Sequence, residues 1–383
     1  MPQGAVPPPR EQDIVTGPGK RLLFFLPPLA AFRPQGQDLL SGLAITGLLL
    51  PQALAYSSIG DMPAQAGIIA LLAGLFCYGI LGGSRFALVS PTSSSAVVLA
   101  AATASLAGNS PSGRLVVAGA LVLAISLVFV LSAIIRIGNI TDFIDRPVLR
   151  GFTFGLCIFI VIKQMDTVLG VQSTSQSLIY FIVDIVSQAA QWHLPSILLS
   201  AASLACLLIL GRLKRLPSST LVIILGVLAS YFLDLSSYGV PLVGQISMTS
   251  AVPTIPVLGW KEWADILKLA VGITFILYAE SYGAIGSFAM KHGDTLSPNR
   301  DLFALGVCNF LSGLFQGMPV GAGYSATAAN ETYGAQTRMS GIISLLITVV
   351  ILLTALPFIA WIPRPVLASI VIYIMLSTLR LSF

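Results

Sequence analysis

The stretch GGSRFALVSPTSSSAVVLAAATA (residues 82–104) decides how this chain reads. It opens with Gly and Pro markers and extended residues. It then turns into a short run of hydroxyl and small side chains that is apolar enough for a membrane yet shorter than the roughly 20 residues of a full span. A second stretch has the same design: GMPVGAGYSATAANETYGAQT (residues 317–337) again leads from Gly- and Pro-marked backbone into a short run of small residues. Unwound backbone within a bilayer is tolerated only where protein or a watery cavity satisfies it. The alternative is two ordinary small-residue packing helices, as in close helix–helix contacts.

Working outward, the rest of the chain reads as membrane helices. Of its 383 residues, 56% are hydrophobic and 9% charged, against about 25% charged in soluble domains. So few charges cannot cover a water-soluble surface of this size. Twelve apolar segments are expected: Asp38–Tyr56, Pro63–Leu81, Thr92–Ala107, Leu115–Ile137, Val148–Leu169, Pro195–Leu210, Ser219–Leu233, Ile266–Ser281, Leu302–Met318, Tyr324–Tyr333, Gly341–Ala360 and Pro365–Leu379. The two short segments come third in each half, the second half being counted from Ile266. Interrupted segments at matching places in two halves predict an inverted-repeat transporter with its site near the midplane. An amphipathic stretch at Ser177–Gln191 is expected along a membrane face, with Asp184 on its polar side.

Charge sets the orientation rather than a nucleic-acid partner. With the N-terminus inside and each segment crossing once, the outer ends hold Arg114, Lys163, Lys261, Lys268 and Arg364, and the remaining Lys and Arg of the 20 fall inside. That asymmetry predicts a cytoplasmic N-terminus. Residues 1–37, rich in Pro and Gly and without a signal-peptide layout, read as a cytoplasmic tail. Cys77, Cys157, Cys206 and Cys308 lie in apolar segments without metal-ligand spacing and read as packing residues. No metal or cofactor is implied. No Walker loop or metal cluster supports an enzyme.

The chemistry follows from the two short helices. A helix N-terminus offers free N–H groups and a partial positive charge. Two of them facing each other make an anion site without a full cation. Thr92, Ser93, Ser94 and Ser95 add hydroxyls at the first, Ser325 and Thr327 at the second, although any one of them could instead bond back to its own helix. Glu280 lies near the end of an apolar segment, in FILYAESYGAIG (residues 275–286), and Glu331 lies one turn beyond Thr327. An intramembrane carboxylate is costly and usually faces a cavity or the bundle interior, so Glu280 is the candidate for taking up a coupling ion. Structural hydrogen bonding is the competing role, and the stronger one for Glu331. His193 and His292 fall in predicted loops and receive no role.

These motifs resemble the SulP (sulfate permease) family of anion transporters. PQALAYSSIGDMPAQAG (residues 51–67) is similar to the family's first-helix signature, and GGSRFALVSPTSSSAVV (residues 82–98) to the segment before its third helix. DRPVLRGFTFG (residues 145–155) resembles the start of its fifth helix. SPNRDLFALGVCNFLSGLFQGMPVGAGYSATAANETYGAQTRMSG (residues 297–341) resembles its most specific stretch.

The resemblance implies an all-α polytopic membrane protein with a seven-plus-seven inverted repeat. A core domain (38–137 and 263–360) carries the anion past a gate domain (138–235 and 361–383) as an elevator, commonly in a homodimer in the plasma membrane, here read as a bacterial inner membrane. As a departure from that pattern, the last two gate helices and the cytoplasmic STAS domain are expected to be absent from this chain. By position it places the site at Gln52 and Tyr56 on the first helix, Thr92 and Ser93 on the third, Glu280 on the eighth, and Ser325 and Thr327 on the tenth. Many members have Arg where this chain has Ala326, which weakens sulfate and fits bicarbonate, dicarboxylates such as fumarate, or a site that uses a cation for charge balance.

The function expected is secondary transport of a small anion, with a proton or sodium or by exchange. A nucleobase–proton symporter of the same superfamily and an anion-binding sensor or motor without turnover are the alternatives.

Overall fold

The computed structural model describes residues 35–107, 111–138, 146–171, 173, 178–212, 218–245 and 253–382. Most of the expected N-terminal tail lies outside them. Helices follow the apolar runs because lipid offers backbone groups no partner, so each run closes its own hydrogen bonds. In chain order they are α1 (Gly36–Ile59), α2 (Ala64–Leu81), α3 (Ser93–Ala107), α4 (Pro111–Ile135), α5 (Arg146–Lys163), α6 (Met165–Leu169), α7 (Leu178–Ser187), α8 (Leu194–Leu210), α9 (Ser218–Leu233), α10 (Trp260–His292), α11 (Pro298–Leu314), α12 (Tyr324–Thr332), α13 (Met339–Ile359) and α14 (Arg364–Ser382). By length and composition α1, α2, residues 113–135 of α4, and α10 suffice to cross a membrane.

Two strands interrupt this pattern. β1 (Val89–Pro91) pairs antiparallel with β2 (Val320–Ala322), with Val89 opposite Ala322, Ser90 opposite Gly321 and Pro91 opposite Val320. Each leads at once into a short helix, β1 into α3 and β2 into α12. The expected half-helices with extended lead-ins are present, and their starts share one small sheet.

Around this sheet lie two apolar clusters. One joins α2, α3, α4, α10 and α11 through Tyr78, Leu99, Phe129, Leu277, Leu305 and Cys308. The other joins α1 to α5, α9 and α14 through Leu49, Leu54, Ile160, Val222 and Val371. Small residues let elements approach closely. A Cβ at Gly74 of α2 would stand 2.3 Å from the Val89 carbonyl oxygen, so only glycine lets α2 back onto β1.

Three sequence expectations need correction. The segment expected at Ile266–Ser281 runs on to His292, so Glu280 lies in the body of α10, twelve residues before its end. The hydropathy dips there, yet Ala284, Ile285, Phe288 and Ala289 stay buried and Ser281 and Ser287 return their hydroxyls to the Leu277 and Gly283 carbonyls. His292 therefore ends a helix rather than lying in a loop. The segment expected at Val148–Leu169 is broken at Gln164 into α5 and α6. The amphipathic stretch is α7 with a 3-10 turn at Ala189–Gln191. It buries Phe181 and Ile185 and exposes Ile179, Tyr180, Val183 and Val186.

The turn from α2 into β1 is held by a buried carboxylate. Asp301 of α11 accepts from the Tyr78 hydroxyl (2.7 Å) and the Gly83 amide (2.8 Å), and Arg300 donates to the Leu81 carbonyl (2.8 Å). Asp301→Ala leaves two buried donors without an acceptor, at a cost of about 2–3 kcal/mol. SDS titration of the chain in mixed micelles should show this loss, whereas Ser287→Ala, at an exposed position, should leave the midpoint unchanged.

Candidate functional site

The site is built where the two half-helices begin. Thr92 precedes α3 and closes its first turn reciprocally with Ser95. The Ser95 amide donates to Thr92 Oγ1 (3.1 Å), and the Thr92 amide donates to Ser95 Oγ (2.9 Å). With the Ala96 amide on the Thr92 carbonyl (3.0 Å), the amides of Ser93 and Ser94 are left at the helix start. At α12 the cap is Gly323, which has no side chain to satisfy the first turn. The Thr327 amide takes the Gly323 carbonyl (3.1 Å), leaving those of Tyr324, Ser325 and Ala326. The two starts nearly touch: a Cβ at Gly323 would lie 3.4 Å from Thr92 Cγ2.

Glu280 stands beside this junction. Its carboxylate accepts from the hydroxyl of Ser94 and, at 3.4 Å, from that of Thr92. Its neighbour Ser281 accepts the Ala322 amide of β2 at 2.9 Å, so α10 touches both half-helix starts through consecutive residues. Tyr56 on α1 and Cys157 on α5 lie within electrostatic reach of Glu280. One turn before Tyr56, on the same face of α1, Gln52 is 3% exposed and its side-chain Nε2 has no partner among the described residues. A buried donor without an acceptor is costly, which makes this atom a candidate donor to a ligand oxygen.

The expected site residues thus divide. Thr92, Tyr56, Glu280 and the start of α12 come together. Ser93 and Ser325 are half-buried at the two starts. Thr327 is fully buried, and its hydroxyl donates to the Gly323 carbonyl (2.8 Å), so its proton serves its own helix. Ala326 is 2% exposed and belongs to the apolar cluster with Ala53, Leu54 and Cys157. Glu331 lies apart, paired with Lys291 (2.7 Å) and His292 (3.0 Å), the structural role that its sequence position favoured. His193 caps α8, its Nδ1 on the Ser196 hydroxyl (2.8 Å) and its Nε2 on the Tyr238 carbonyl (2.9 Å). Ser94, rather than Ser93, makes the contact with Glu280; both were visible as hydroxyl residues, and the helix phase separates them. Cys157, read from sequence as packing, stands near the site from a helix distant in the chain. Among the described residues no cluster of His, Cys, Asp and Glu is arranged to hold a metal.

Comparison with known proteins places this geometry. The profile of the Sulfate permease family matches residues 36–381. The chain belongs to the sulfate permease family. A "Probable sulfate transporter" of Mycobacterium tuberculosis (strain CDC 1551 / Oshkosh) is 28% identical over 346 residues, 90% of this chain and 62% of that protein. "Sulfate transporter 4.1, chloroplastic" of Arabidopsis thaliana is 28% identical over 345 residues, 88% of this chain and 50% of that protein. The chain thus spans less than two thirds of the length of these relatives. The fold matches the transmembrane domain of a cyanobacterium bicarbonate transporter with a TM-score of 0.83 and 22% identity, covering 91% of this chain and 90% of that one. It matches the murine Solute Carrier 26 family member A9 anion transporter in the inward-facing state with a TM-score of 0.87 and 18% identity, covering 99% of this chain and 69% of that one. The chain therefore has the all-α polytopic membrane fold of these transmembrane domains.

A side chain at Gly323 would fill the gap between the two helix starts. Because a Cβ there makes ordinary contact, Gly323→Ala should fold with an unchanged melting midpoint. If an anion is held at this junction, its binding should weaken by about an order of magnitude, the equivalent of one lost amide contact. Calorimetric titration with sulfate, bicarbonate and fumarate checks this.

Proposed function

We propose that this chain is the membrane part of a secondary transporter of a small anion, held between the starts of α3 and α12. The observation that carries the reading is the meeting of two half-helix N-termini on one sheet, with uncapped amides at the second and the unpartnered Gln52 nitrogen nearby. Aligned N–H groups stabilise negative charge without a mobile counter-charge. Family membership supports anions over nucleobases.

The substrate is a small oxyanion or carboxylate: bicarbonate, a dicarboxylate such as fumarate, or sulfate. Gln52, Tyr56, Thr92, Ser93, Ser325 and the α12 amides contact it. At position 326 an alanine offers no cation to a divalent anion. Glu280, held by the Thr92 and Ser94 hydroxyls beside the same junction, carries the coupling proton or sodium. Residues 38–137 and 263–360 form the moving core, and 138–235 with 361–383 the gate. Contacts of α1 with α9 and α14, and of α3 with α5, form the surface along which the core slides as an elevator.

The protein lies in the bacterial inner membrane as a homodimer with its N-terminus in the cytoplasm. The clustering of expected inner groups supports this orientation. Asp38 at the start of α1 bonds the 336–337 backbone, and Arg85 pairs with Asp294 near the end of α10. Arg114, expected outside, instead pairs with Asp61.

Coupling is tested on Glu280→Gln, which still accepts from Ser94 but carries no charge. Uptake is measured in proteoliposomes, under pH and sodium gradients separately. If Glu280 carries the coupling ion, binding survives and accumulation under one of the two gradients disappears; which gradient is lost names the ion. Loss of stability and of all activity together would leave Glu280 a structural role only.

Specificity is tested on Ala326→Arg, which should shift the preference from bicarbonate and dicarboxylates toward sulfate by about tenfold, the scale of one 1.4 kcal/mol contact. Ala328→Arg is the control, because Ala328 packs against Phe86, Phe288 and Ala335 on another face of α12. Equal effects in competition assays would remove position 326 from the site.

A further inference from the structure

β2 is bonded to β1 along one edge only, and the opposite edge would leave backbone groups unpaired in the protein interior. Side chains from two helices close that edge. Ser281 of α10 accepts the Ala322 amide (2.9 Å). Ser312 of α11 donates to the Met318 carbonyl (2.6 Å), just before the strand. The closest substitute for a strand is Asn309 of α11. Its Oδ1 accepts the Val320 amide at 3.0 Å, while its Nδ2 donates to the Val320 carbonyl at 3.0 Å. One side-chain amide thus makes with Val320 the paired bonds that a neighbouring strand would make. Its second amide proton goes to the Leu305 carbonyl of its own helix (2.9 Å), and the side chain is fully buried. All its hydrogens are used, and the side chain has a single orientation that satisfies them.

We propose that Asn309 is a positioning residue of the anion site, serving as a third strand that fixes the register of β2 and with it the start of α12 against α3. The proposal rests on the anion-site reading above. Only Gly321, Ala322 and Gly323 separate Val320 from Tyr324, so a shift in β2 is passed on to the start of α12. Asn309 touches no proposed ligand group itself and acts through the strand. In sequence it is a polar residue inside the apolar run ALGVCNFLSG (residues 304–313), eleven positions before its partner.

Asn309→Asp tests this with nearly unchanged shape. It replaces the double donor by an oxygen facing the Leu305 and Val320 carbonyls. Ser126→Ala is the control: it removes a buried bond from α4 to the Gly306 carbonyl of the same helix α11, away from β2. Two readouts are taken on the purified full chain in detergent.

Hydrogen exchange at residues 320–326 should rise at least tenfold in Asn309→Asp, the scale of one buried group left unsatisfied, and stay at the wild-type value in Ser126→Ala. The dissociation constant for whichever of sulfate, bicarbonate and fumarate the wild type binds should rise at least tenfold in Asn309→Asp alone. Unchanged exchange at 320–326 overturns the proposal. Raised exchange with an unchanged dissociation constant overturns it too, because the strand is then held without consequence for the site. Equal effects in both variants mean general destabilisation and overturn it. A wild-type chain that binds none of the three anions sinks the anion-site reading, and the claim about the site goes with it; the exchange result then decides only whether Asn309 holds β2.

Discussion

The short pairing of Val89–Pro91 with Val320–Ala322 occupies a place where backbone would otherwise be unpaired inside a membrane fold. Helices solve that problem within themselves. Two extended segments can solve it only by finding each other, or by borrowing side chains. The pairing brings two stretches more than two hundred residues apart into register, and α3 and α12 inherit their starting points from it. The proposed site is therefore a by-product of satisfying backbone hydrogen bonds where, among the described residues, two strands replace helix.

Polar side chains around the sheet have separate tasks. Asp301 and Arg300 hold the turn that delivers β1, while Asn309 and Ser281 close the free edge of β2. Thr92 and Ser95 close the first turn of α3 on each other, whereas Gly323 leaves α12 open. This asymmetry is chemical. One half-helix presents hydroxyls to a carboxylate at Glu280, and the other presents bare amides. On the proposed reading, an anion and a coupling cation are held side by side, with Thr92 adjoining both.

Much of this was legible in the chain. Hydropathy fixed the helices because lipid penalises every alternative, and Gly, Pro and hydroxyl clusters marked both interruptions. The hydroxyl rows at 92–95 and 325–327 pointed to the helix starts. What failed was local detail. Segment ends drawn by hydropathy stopped α10 at Ser281, because buried serines and small residues look like an end when they are really packing. Thr327 looked like a ligand donor, yet its hydroxyl returns to its own helix. Asn309 drew no reading at all, because a single polar residue in an apolar run carries no pattern of its own.

By itself the sequence determined that the chain is a bundle of membrane helices with two short helices preceded by extended backbone, and that a carboxylate lies in an apolar helix. Each of these is a property of one contiguous segment, decided by transfer of that segment out of water. Only the tertiary structure decided that the two extended segments pair, that Ser94 rather than Ser93 meets Glu280, that Ala326 faces apolar neighbours, and that Asn309 completes the sheet. Those facts depend on register and helix phase between segments distant in the chain. Hydrogen bonds between such segments are fixed by where the packed helices leave their donors and acceptors, and a linear pattern carries no measure of that.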